Sequence, residues 1–329
     1  MTHGAALTGA LLATLVNPAT WPLALAAFLV RGGIVLVLLP IVVLPTPVGL
    51  GTALAPMLTA VAFGSVSTGE VILAVGLWIA VVAWLVLGGW IAAALEIGGI
   101  RLVAADEDVR SVASGVTAIR GGGRPAVRVL AARLLAFIPL AIVLVLGAIR
   151  VVFVAYRELT SPLDVSTPIA VRVVLAAPEV VVAVVAAWMA GEIVGGLAAR
   201  RIVLEGGGVR AALRSAVILS VRQPLSTLVR FWLPTGALVL VLVPGALAAA
   251  SGWAAVDGVL ASPPGPAAVF GTVALFVTLW GIGLVLVGVI CAWRAAVWTV
   301  ADVSREGTFG GSAHRRPGDW RHDPPSATL

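Results

Sequence analysis

The sequence has no lysine, one cysteine and one tyrosine, and its three histidines are His3, His314 and His322, all close to the chain ends. Charge is scarce as well: Asp, Glu and Arg together make up 11% of 329 residues, against about a quarter in a soluble domain. Each scarcity excludes something. Cys291 alone cannot form an intramolecular disulfide, and no Cys/His spacing suits zinc. No His-Glu-x-x-His helix, Walker loop or Gly-x-Ser-x-Gly elbow occurs. Acid–base chemistry inside the apolar body would fall to carboxylates or Tyr156, so no catalytic, metal or cofactor residues are expected and the chain reads as a non-enzyme. All 21 basic residues are arginine. In an Ala/Val/Gly-rich chain this fits a GC-rich bacterial coding bias, so the high pI is no argument for a nucleic-acid partner.

What is abundant is apolar sequence, 60% of the chain, with a mean hydropathy of +1.12. A helix needs about 20 mostly apolar residues to cross the hydrocarbon layer. Residues 71–95, 231–256 and 258–293 are free of charge. The last begins in Ser262-Pro263-Pro264-Gly265-Pro266, so its helix is expected to start near Ala267. The pattern predicts an all-α bundle of six spans near 21–44, 71–95, 133–154, 168–197, 231–252 and 267–298, with amphipathic helices at the cytoplasmic interface. Residues 49–64 are apolar but short, which suits a re-entrant or interfacial segment. Residues 303–329 lose apolar periodicity and are expected to form a disordered tail. The start of the chain lacks a basic n-region, which argues against a cleaved signal peptide.

Arginine placement orients the chain. Six arginines (101, 110, 120, 124, 128, 133) fall between spans 2 and 3, six (200, 201, 210, 214, 222, 230) between spans 4 and 5, and five (294, 305, 315, 316, 321) at the C-terminal end. Basic loops are retained in the cytoplasm, so both termini are expected there, in a multi-pass protein of the cell membrane. A pattern also recurs. Trp90–Arg101 and Trp188–Arg201 share a tryptophan, Glu-Ile, Gly-Gly and an arginine, and each precedes a triple glycine (121–123, 206–208) and a further arginine, Arg133 or Arg230. The repeats would be parallel.

Arg31 stands out among the few charges. Ten residues into the first span, it lies about 15 Å deep, while Glu179, eleven residues after Pro168, enters about 16 Å from the opposite side. A mid-bilayer arginine is costly unless paired, so the two are expected to form a midplane ion pair, with Pro178 kinking the span beside it. Glu96 and Glu192 lie near the cytoplasmic interface and are expected to meet Arg133 or Arg230. Gly191 and Gly195 have GxxxG spacing, which permits close helix approach. Val209–Gln223 is amphipathic, and Arg210, Arg214 and Arg222 are placed to contact anionic lipid headgroups. Cys291 reads as a small buried hydrophobe, and the tryptophans as interfacial anchors.

One stretch has a familiar form. Val203-Leu204-Glu205-Gly206, followed by Ala212, Leu213 and Ser215 of an amphipathic helix, resembles a segment of bacterial six-helix membrane families. These are typified by the membrane domain attached to some glycerophosphoryl diester phosphodiesterases, and by related uncharacterised proteins. The resemblance implies a six-helix fold and brings no reaction with it. The expected role is a non-enzymatic membrane or envelope component that contacts lipid or a protein partner. The alternative is a transporter or flippase-like protein using the Arg31–Glu179 site.

Overall fold

The computed structural model describes residues 3–38, 41, 67–107, 123–160, 167, 169–262 and 265–309. The segment 49–64 and residues 310–329 lie outside the described residues. Among the described residues every regular element is helical. Six helices are long and apolar enough to cross a membrane: Thr20–Leu38, Val71–Ala104, Gly123–Glu158, Pro178–Glu205, Pro224–Ala261 and Pro266–Ala301. The protein is a multi-pass integral membrane protein with an all-α fold.

Helix α1 (His3–Val16) is followed by α2 (Thr20–Phe28), which passes through a π-helical turn, Leu29–Gly33, into α3 (Ile34–Leu38). The turn is kinked at Gly32, whose φ of 105° only glycine adopts without strain. Helix α4 (Thr68–Ala83) runs through a second π turn, Trp84–Gly88, into α5 (Gly89–Glu107). From Val71 to Leu87 every residue except Ala74 is exposed. An all-round apolar helix outside a protein core requires lipid as its solvent.

Proline and glycine set the helix ends more than polarity does. The third span, expected at 133–154, comprises α6 (Gly123–Ala136) and α7 (Ile138–Thr160), jointed at Phe137 because Pro139 lacks the N–H that would continue the ladder. The fourth, expected to start at 168, is divided. Helix α8 (Ile169–Ala176) ends at Ala177, which has non-helical angles (φ −135°, ψ 53°), and α9 (Pro178–Glu205) starts with Pro178 in its first turn, where a missing donor costs nothing. Helix α10 (Val209–Arg222) stops before Pro224, which opens α11 (Pro224–Ala261). Helix α12 (Pro266–Phe309) extends seven residues into the segment expected to be a disordered tail and reaches the last position before Gly310-Gly311. Only Gly307 interrupts the run before that pair, and adding residues to an existing helix is cheap.

The bundle is tightly packed at one end. In α9 the buried residues all lie between Gly191 and Ile202. In α12 no residue from Pro266 to Leu286 is buried, whereas Val287, Cys291 and every position from Ala296 to Ala301 are. The core joins Ile97 and Ile100 of α5, Val129 of α6, Leu197 and Ile202 of α9, Ala212 and Ala216 of α10, Phe231 of α11 and Trp298 of α12. Helix α1 caps this end against α12, where the Trp293 indole donates to the Leu7 carbonyl at 3.2 Å. These are the ends from which the arginine-rich connections leave. On α10, Arg210, Arg214 and Arg222 are exposed beside exposed Val217, Ile218 and Val221, a mixture suited to a headgroup layer.

Candidate functional site

Four arginines and two glutamates converge where the tight end begins. Helix α5 supplies Glu96, α6 supplies Arg133, α9 supplies Glu192 and Arg200, α12 supplies Arg294, and the first π turn supplies Arg31. Arg133 grips Glu96 with two donors, Nη2 to Oε1 at 2.5 Å and Nε to Oε2 at 3.3 Å. Arg31 donates to Oε2 of the same carboxylate. Arg294 donates to Glu192 Oε2 at 2.9 Å, and Arg133 Nη1 faces that oxygen at 3.6 Å. Arg133 therefore bridges the two glutamates of the recurring Trp…Glu-Ile…Gly-Gly pattern.

Arg200 is the largest fully buried side chain among the described residues, 2% exposed. It donates to the carbonyls of Gly196 at 2.6 Å and Ala295 at 2.7 Å and stands 3.8 Å from Glu96. Glu192, Gly196 and Arg200 lie at helical i, i+4, i+8 positions, so one stripe of α9 carries an acid, a gap and a base toward the same neighbours. Phe231 closes the floor. Its ring centroid is 5.5 Å from that of Trp188 and 5.5 Å from the Arg294 guanidinium carbon, within cation–π range.

The close approach that assembles the cluster depends on Gly191 and Gly195. A Cβ at Gly195 would lie 3.2 Å from Cδ of Arg133, and one at Gly191 would lie 2.8 Å from the Phe137 ring and 3.2 Å from the Ala136 carbonyl oxygen. The two glycines let the α6–α7 joint lie against α9, with Arg133 between the acids.

Around these groups is a cavity of about 410 Å³. Its charged lining consists of Arg31, Arg133, Arg200 and Arg294 against Glu96 and Glu192, a formal charge of +2. The remaining lining is largely apolar, including Leu23, Phe28, Leu36 and Cys291. Among the described residues no group of His, Cys, Asp or Glu could hold a metal ion.

The Arg31–Glu179 pair expected from the sequence does not form. Because Pro178 restarts the helix, Glu179 sits in the first turn of α9, thirteen residues before Glu192 and about 20 Å from it along the axis. It is exposed there and accepts from Arg150 Nε at 3.0 Å. Arg172 and Arg157 flank Glu158 in the same neighbourhood of α7 and α8. Arg31 also does not stay at the depth of its backbone. Val30 packs on Gly88 of the second π turn, eight residues or about 12 Å before Glu96, so the Arg31 and Glu96 side chains close that interval by reaching toward each other. Long cationic side chains commonly reach for a polar boundary in this way.

Arg230 is the second departure. Of the two partners expected for the glutamates, Arg133 meets both, and Arg294 rather than Arg230 joins it at Glu192, because Phe231 points into the cluster and its helical neighbour is turned by about 100°. In the sequence, Arg200 and Arg294 carry only a topology signal. The Glu192–Gly196–Arg200 stripe is the feature that could have singled out Arg200.

A double-mutant cycle separates the two pairings. Arg31→Ala with Glu96→Gln should be strongly non-additive in thermal stability, whereas Arg31→Ala with Glu179→Ala should be additive, as separated sites are. Coupling to Glu179 in detergent-solubilised protein would contradict this geometry.

Comparison with protein-family models, with curated proteins and with solved structures finds no match. The functional reading therefore rests on the cluster and its cavity.

Proposed function

We propose that the protein is a non-enzymatic component of the cell membrane, with its arginine-rich face and both chain ends in the cytoplasm, that binds the anionic headgroup of a ligand in the Arg31–Arg294 cavity. One observation carries this reading: four arginines share two carboxylates around one cavity, with Glu96, Arg133 and Arg200 nearly buried. Among the described lining residues the formal charge is +2; positive charge beside groups as buried as Arg200 and Glu96 is expensive, and a bound phosphate or carboxylate would offset it through charge-assisted hydrogen bonds. Arg210, Arg214 and Arg222 then serve as an outer contact with anionic lipid, and a protein partner on the same face is compatible with this role. Kinship with the six-helix family suggested by Val203–Gly206 would add a fold to the reading and no reaction.

The test is lipid retention. Protein purified in a neutral detergent is exposed to equal amounts of phosphatidylglycerol and phosphatidylcholine, and bound lipid is counted by native mass spectrometry. Phosphatidylglycerol should be preferred, and Arg31→Gln should weaken its retention about tenfold, the worth of one charge-assisted bond. Equal retention of the two lipids, unchanged in Arg31→Gln, would refute the reading.

A second reading, movement of that ligand across the bilayer, draws on the two π turns. They face each other through Val30 and Gly88 beside the cavity, and such turns recur at functional sites. Lipid scrambling in proteoliposomes distinguishes transport from binding alone.

A further inference from the structure

A second cavity adjoins the first. It has a volume of about 470 Å³ and lies between α3, α11 and α12, lined by Leu36, Leu242, Ala249, Phe276, Gly283 and Val287 among others, with no charged side chain among the described residues. Leu36 lines both cavities. It follows Arg31 by five residues, about 7 Å along the helix, while the Arg31 guanidinium reaches the other way to Glu96, so a glycerol backbone and the first acyl carbons together would cover the interval.

The polarity across the two neighbouring cavities has a direction. Its charged end lies at the tight end of the bundle, level with the arginine-rich exits. Its apolar end extends into the half where Pro266–Leu286 contains no buried residue. A phospholipid in the leaflet facing those exits has this same order, with phosphate at the boundary and acyl chain toward the midplane. A small soluble anion would engage the arginines and leave the apolar cavity unused.

We propose that the two cavities form one binding site for an anionic phospholipid of that leaflet, with its phosphate held by Arg31 and Arg294 and one acyl chain seated between α11 and α12. The inference rests on the anion-binding reading above and adds the tail, so the two must be able to fail separately. The guanidinium of Arg294 is fixed by Glu192 and the Phe231 ring, and that of Arg31 by Glu96. Each therefore presents its remaining donors to the cavity without further ordering, which favours affinity. The apolar wall gains by exchanging contact with bulk lipid for an ordered chain, a packing effect, since within hydrocarbon there is no hydrophobic driving force.

The closing experiment fills the tail cavity and leaves the charges in place. A Cβ at Gly283 meets no atom within 4 Å, so Gly283→Trp can project into the space, and Ala249→Phe fills the same cavity from α11. Full-length protein and both variants, checked for monodispersity and melting temperature, are titrated with palmitoyl-oleoyl-phosphatidylglycerol, with its short-chain dihexanoyl analogue and with inorganic phosphate. The site as proposed retains the long-chain lipid, and millimolar phosphate does not displace it. Each filled variant lowers that retention about tenfold and leaves binding of the dihexanoyl lipid unchanged. If Arg31→Gln weakens retention while neither filled variant does, the anion site stands and the acyl-chain site is refuted. Ready displacement by inorganic phosphate likewise refutes the acyl-chain site and spares the anion site. If neither Arg31→Gln nor the filled variants change retention, both readings fall.

Discussion

Glu96→Gln should be the most damaging single substitution in the charged cluster, lowering stability by about 3–5 kcal/mol. Glu96 accepts from Arg31 and, through two donors, from Arg133, and stands 3.8 Å from Arg200. Glutamine keeps the shape and one acceptor but turns an amide NH2 toward guanidinium donors. The formal charge of the described cavity lining rises from +2 to +3, beside Arg133 and Arg200, which are nearly buried. The cost is that of stranding cations rather than of losing an ordinary bond, because a buried pair is strongly destabilised when only one partner is removed. Thermal unfolding in detergent and the yield of monodisperse protein read the loss. Pairing the substitution with Arg133→Met, which removes the cation most dependent on Glu96, should recover much of it. A Glu96→Gln protein that melts with the wild type would mean that packing alone holds these helices together.

The cluster also marks where sequence reasoning succeeds and where it stops. The six spans are legible because lipid as solvent imposes a coarse rule, and the charge-free runs at 71–95 and 231–256 satisfy it regardless of what they touch. The proximity of Glu96 to Arg133 follows from both lying at the same interface. Arg31 pairs differently from the sequence expectation for two physical reasons. Matching depths on independently drawn helices assumes that each helix is continuous, whereas Pro178 starts a helix rather than kinking one, which moves Glu179 to the far end. An arginine can also reach a level well away from its own backbone, an extension that periodicity does not reveal. Arg294 is hidden for a related reason. A helix exit rich in arginine looks the same whether its first arginine points to water or, as here, between Glu192 and Phe231. Which of several like charges turns inward is decided by neighbours on other helices, and one chain read alone does not pair them.

The second large effect should come from a residue with no side chain. Gly191→Leu is expected to separate α9 from the α6–α7 joint at a cost of about 1–3 kcal/mol for overpacking alone, and more once the ions are counted. Two obstacles confront a side chain at 191, and they differ in kind. The Phe137 ring, 2.8 Å from an added Cβ, can rotate, but the Ala136 carbonyl oxygen at 3.2 Å is backbone and cannot. Leucine would therefore push the joint outward. Arg133 precedes Ala136 by less than one turn and would move with it, away from Glu96 at 2.5 Å and Glu192 at 3.6 Å. The distinction between ring and carbonyl gives the measurement its resolving power. Phe137→Ala should rescue Gly191→Ala, where the ring is the main obstacle, and should leave Gly191→Leu impaired, because the longer side chain still meets the carbonyl. Combining Gly191→Leu with Glu96→Gln should cost less than the sum of the two, since a displaced Arg133 has already lost the bond that the second change removes. Strict additivity in that pair would show that the glycine pair sets helix spacing without positioning Arg133 between its acids.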